Sequence, residues 1–113
     1  MTQHMSHEEY IQSVRTRVVE ICSGILDGTF PVLEGCRLLS SLRWEAQVDQ
    51  SDTDFDTFTA IDSETDALPI GEVRRNWDPE ALQALEPEIR SATEWASSLA
   101  LPACKAVVQR FGA

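Results

Sequence analysis

Lysine is almost missing from this 113-residue chain: Lys105 is the only one, and nine basic residues face 19 acidic ones. A protein with net charge −10 and so few cations lacks the basic footprint that grips a phosphate backbone, which excludes ordinary nucleic-acid binding. Long hydrophobic runs are missing as well. No stretch approaches the ~18 apolar residues of a membrane span. The opening MTQHMSHEEY has neither the basic start nor the apolar run of a secretory signal. Cysteine is scarce: Cys22, Cys36 and Cys104 are odd in number, far apart and form no C-x-x-C pair. Such thiols fit a reducing compartment, where cysteine serves as a compact apolar side chain, so the chain is read as cytoplasmic. Period-two alternation is missing, and no Asn-Gly or Asp-Gly pair sits between alternating segments. Repeats and low-complexity tracts are missing too, which argues against a solenoid.

What is there reads as one domain, 1–113, with residues 1–5 a frayed leader. Its 42% hydrophobic and 25% charged content are ordinary for a globular protein. A chain of this length buries roughly 65% of its unfolded surface, enough for a core without staples. Ser6-His7-Glu8-Glu9 matches a capping box, and Ile11, Val14, Val18, Ile21, Cys22 and Ile25 follow at helical spacing to Gly28, a left-handed stop. Helix one is predicted over 7–27. Pro31 opens helix two, 31–46, along Leu33, Cys36, Leu39 and Leu42, with Gly35 placed for close approach to helix one. Asp52 caps helix three, with Phe55, Phe58 and Ile61 on one edge, ending by Ala67 before Leu68-Pro69. Residues 68–77 read as an ordered loop with one helical turn at 71–76. Asp78-Pro79-Glu80 starts a helical pattern that runs to Phe111 but is interrupted by Pro87 and Pro102. Each proline removes a backbone bond, so three helices are predicted, near 79–86, 88–100 and 102–111. The expected fold is an all-α bundle of four to five helices.

Charge is unevenly distributed. Residues 44–73 hold Glu45, Asp49, Asp52, Asp54, Asp56, Asp62, Glu64, Asp66 and Glu72 with no Lys or Arg, leaving ten acidic and nine basic residues elsewhere. A patch that dense in one sign is either a solvated face or a docking surface for a basic partner. Metal binding fits poorly. Asp52-x-Asp54-x-Asp56 begins like a calcium loop but has Thr57 and Ser63 where glycine and glutamate are needed, and the start at Asp62 has Ala67 and Val73. Asp62 and Asp66, one turn apart, could hold Mg²⁺ loosely, with Glu8, Glu9 or Glu34 as candidates for a second carboxylate pair. The E-x-x-H pattern of di-iron bundles is missing. His4 and His7 lack companions for zinc, and no cysteine–histidine pair, serine elbow or phosphate loop suggests catalysis. Arg74 or Arg75 is expected to pair with Asp62, Asp66 or Glu72 and pin the loop, with Trp77 folded back on the bundle. Trp44 and Trp95 fall at helix positions and read as core or rim; one exposed beside the acidic face would be a binding anchor.

Glu34-Gly-Cys-Arg-Leu-Leu-Ser-Ser-Leu-Arg43 and FTAIDSETDALPIGEVRRNWDPEAL from Phe58 to Leu82 resemble small bacterial proteins known only as a domain of unknown function. The resemblance covers about residues 25–85. It implies a bacterial, cytoplasmic origin and brings no catalytic residues; Asp62, Glu64, Asp66, Arg74, Arg75 and Trp77 belong to its more distinctive motif. In size and charge alone the chain is also similar to immunity proteins of bacterial toxin systems. The expectation is therefore a non-enzymatic acidic binding protein without cofactor or metal. It would dock Asp52, Asp54, Asp56, Asp62, Glu64 and Asp66, with Arg74, Arg75 and Trp77 beside them, on a basic partner such as a toxin. The alternatives are an adaptor that homodimerises through a helix face and, further off, a Mg-dependent carboxylate enzyme.

Overall fold

Serine at the start and glycine at the end bound the first helix where the sequence places them. α1 spans His7–Asp27; the Ser6 hydroxyl accepts from the Glu9 amide, and Gly28 closes it at φ 84°. The computed structural model describes residues 6–112, so the leader at 1–5, with His4, lies outside the described residues. α2 (Val32–Leu42) follows a short turn, with Pro31 as N-cap rather than inside the first turn. α3 (Thr53–Thr65) is capped by the Asp52 carboxylate, a 3-10 helix η1 spans Gly71–Asn76, and α4 runs from Pro79 to Phe111. The fold is an all-α bundle, with no strand among the described residues.

The core is the union of the apolar stripes. Val18, Ile21 and Cys22 of α1, Cys36 and Leu39 of α2, Phe55, Phe58 and Ile61 of α3, and Ala96, Ala100, Cys104 and Val107 of α4 are all buried. Gly35 does bring α2 against α1: a Cβ there would lie 2.5 Å from Ile25 Cδ1, closer than real carbon atoms approach. The three thiols are free and buried. Burial among neighbouring thiols pushes Cys36 up to about 12, and a contact with Cys104 together with burial pushes Cys22 higher still, so both are protonated, unreactive packing groups near neutral pH.

Two boundaries differ from expectation. The three helices expected beyond Asp78 are one continuous helix that contains both Pro87 and Pro102. Both prolines are exposed, and the carbonyls they leave without a donor belong to Gln83 and Ser98, also exposed, where water can serve them. On the opposite side Ala100, Ala103, Cys104 and Val107 stay in the core on both sides of Pro102, so packing holds the helix together. Asp78, expected as a cap, makes no side-chain cap bond. Regular α2 ends at Leu42 instead of 46 and passes into a turn. There Val48 N–H donates to the Arg43 carbonyl and Gln47 N–H to the Trp44 carbonyl, with Gln47 left-handed at φ 53°. That is a Schellman closure built on glutamine in the place glycine usually takes.

Candidate functional site

The acidic residues of α3 fall on different sides of its buried stripe. Phe55, Phe58, Ile61 and Thr65 face the core. Asp54 and Asp62 lie on the two flanks of that stripe, within reach of neighbouring helices, whereas Asp56 and Glu64 lie on the solvent side.

Arginines from outside the segment reach the flanks. Asp52 caps α3 by accepting from the amides of Asp54 (3.0 Å) and Phe55 (3.1 Å), and the same carboxylate holds Arg110 of α4 through two bonds of 2.6 and 3.2 Å. Arg110 also donates to Asp54 at 3.0 Å. Burial disfavours the Asp52 charge, but the Arg110 and amide bonds outweigh it and hold its pKa below the usual carboxylate range. Arg37 of α2 pairs with Asp62 at 3.3 Å and donates to the Thr65 carbonyl at 2.8 Å. Arg43, only 6% exposed, pairs with Asp56 at 2.9 Å and donates to the Gln50 carbonyl at 2.8 Å. Four of the six nominated aspartates and glutamates are thus engaged within the fold.

The remaining carboxylates are free. Glu64 and Asp66, together with Glu45, Asp49 and Glu72 of the same acidic segment, are exposed and make no ion pair among the described residues. Glu45 accepts from the Tyr10 hydroxyl at 2.6 Å, and Asp49 accepts from the Ser51 amide and hydroxyl. Arg74 and Arg75 correct an expectation: neither pairs with Asp62, which holds Arg37 instead, nor with Asp66 or Glu72. Both are exposed on η1. Arg74 borders a groove of about 250 Å³ with Val32, Leu33, Glu34, Ile70 and Ile89. Trp77 is 38% exposed, so it folds back only in part. The nominated set is therefore three separate clamps, a free C-terminal pair and a basic 3-10 turn, rather than one continuous face.

Of the two positions expected for the tryptophans, core or rim, the structure excludes the core. Trp95 is 42% exposed and Trp44 61%, neither being core. Trp44 lies in the Schellman turn, beyond the last regular residue of α2. The Arg43 guanidinium lies 5.4 Å from its ring centroid. No group of three or more His, Cys, Asp or Glu among the described residues could hold a metal ion, and Asp62, paired with Arg37, is a poor partner for Asp66 in binding Mg²⁺. No described helix is long and apolar enough to cross a membrane. The chain matches no protein-family model, no curated protein and no solved structure.

Proposed function

We propose that this is a non-enzymatic, cytoplasmic binding protein of the immunity or antitoxin type, which docks an acidic surface on a basic partner such as a toxin. One observation carries the reading. After arginines have engaged Asp52, Asp54, Asp56 and Asp62, five carboxylates of the same segment, Glu45, Asp49, Glu64, Asp66 and Glu72, are still exposed without an ion pair among the described residues. A surplus of unpaired negative charge costs the folded state some self-repulsion, which a basic partner relieves, and it steers that partner during approach. A nuclease toxin suits this chemistry, because the groove that binds its substrate is basic.

The test is capture from a bacterial lysate at low and at high salt with two proteins, the natural chain and a variant carrying Glu45→Lys, Asp49→Lys, Glu64→Lys, Asp66→Lys and Glu72→Lys together. A basic protein held by the natural chain at low salt, released at high salt and lost by the variant is the expected result. Equal retention by both would overturn the reading. A second reading, homodimerisation through a helix face, is favoured by Trp95 and Leu99, which are 42% and 43% exposed one turn apart on α4. Light scattering separates the two: a dimer indifferent to salt supports the second.

A further inference from the structure

We propose that Trp44 is the anchor of the docking surface, and that the partner seats an arginine- or lysine-bearing segment on its exposed ring beside Glu45 and Asp49. The inference rests on the acidic-docking reading and gives it a centre.

Arg43 organises the site. Its guanidinium lies under the Trp44 ring at 5.4 Å, pairs with Asp56 at 2.9 Å, and donates to the carbonyls of Gln50 at 2.8 Å and Asp49 at 3.4 Å. Its charge is offset by Asp56, and its buried Nε has no acceptor among the described residues. A buried arginine with an unmet donor is an expensive way to stabilise a turn. What it achieves is to brace a tryptophan that stays exposed. The turn itself is tied down on the α1 side: Arg15 Nε donates to the Ala46 carbonyl at 2.9 Å, and the Tyr10 hydroxyl to Glu45 at 2.6 Å.

Charge complementarity identifies the occupant. Glu45 and Asp49 are exposed and make no ion pair among the described residues, whereas Asp56 is already paired with Arg43. An indole face beside uncompensated carboxylates attracts a cation twice, through the ring quadrupole and through Coulomb attraction. Tryptophan also loses little conformational freedom on binding when it is held in advance, which is why braced aromatics dominate interface energetics. The arginine clamps on α3 then have a positional consequence: Asp52 and Asp54, held by Arg110, lie outside the contact.

The test uses the full chain, ¹⁵N-labelled, and a hexa-arginine peptide as probe, followed through the three indole N–H signals and the backbone amides. The expected result is saturable movement of the Trp44 indole and of amides 44–49, weakened at high salt and by about tenfold in Trp44→Ala, the loss of one cation–π contact. Trp44→Ala should keep the urea midpoint of the natural chain, and Trp44→Phe should recover part of the affinity. Movement confined to residues 64–72 with Trp44 still would overturn this inference and leave acidic docking standing. No saturable movement anywhere would overturn both.

Discussion

Two parts of one acidic segment have the same composition and different fates. From Asp52 to Asp62 the aspartates are gripped by Arg37, Arg43 and Arg110; in the flanks at 45–49 and 64–72, carboxylates of the same kind face water. What separates them is whether an arginine from a neighbouring element reaches them, as Arg43 reaches even Asp56 on the solvent side of α3. Asp54 and Asp62 border the stripe, where α4 and α2 can reach them, and Asp52 caps the helix beside Arg110. Net charge along a sequence therefore overstates the charge a surface offers, and the docking surface is better sought where no arginine arrives.

The sharpest break of this contrast is Asp52→Ala. It removes a helix cap and a two-bond ion pair together, and should cost about 2 kcal/mol in urea unfolding. A cost near zero would put Asp52 with the free carboxylates. Acid gives a second contrast. The Asp52 carboxyl is held below its ordinary value in the fold, so its contribution is present above the unfolded value of about 4 and is lost as pH falls through the folded one. The thermal midpoint should drop below about pH 4, and Asp52→Asn should make that drop shallower. Asp49, lowered mainly by the Ser51 hydroxyl, and Asp27, lowered mainly by Thr29, keep some of the drop in place.

A smaller effect sharpens the other side. Gln47 holds a left-handed conformation that costs a non-glycine residue about 1 kcal/mol, so Gln47→Gly should stabilise the protein by up to that amount while leaving the turn beneath Trp44 intact. A loss of stability would mean that the contact of Gln47 Nε2 with His7 Nε2 at 3.0 Å outweighs the backbone strain. Smallest of all is Glu64→Gln with Asp66→Asn, expected to stay within about 0.5 kcal/mol of the natural chain. A large loss there would erase the distinction between clamped and free carboxylates.

Local signals were legible in the sequence. The Ser6 and Asp52 caps, the Gly28 stop, the 3-10 turn at 71–76 and the stripes of α1 and α3 each depend on residues a turn or two apart. Gly35 was legible too, because a glycine in the middle of a helix invites a close neighbour. The arginine clamps were not: Arg37 and Asp62 are 25 residues apart and Arg110 and Asp52 are 58, and nothing in the pattern pairs them. The unbroken α4 was hidden because the penalty of proline is local while the burial that overrides it is tertiary. The sequence left Trp44 between core and rim for a related reason. Regular α2 stops at Leu42, short of the expected 46, and the turn that carries the indole is closed by a left-handed Gln47 with no glycine to announce it.

A double-mutant cycle on Asp52→Ala and Arg110→Ala, measured by urea unfolding at low salt, tests most directly whether the α3 aspartates are engaged within the fold. The account predicts a favourable coupling of about 1 kcal/mol that shrinks as salt is added. Additive single effects, with no coupling at any salt, would contradict it and return Asp52 and Asp54 to the free acidic surface.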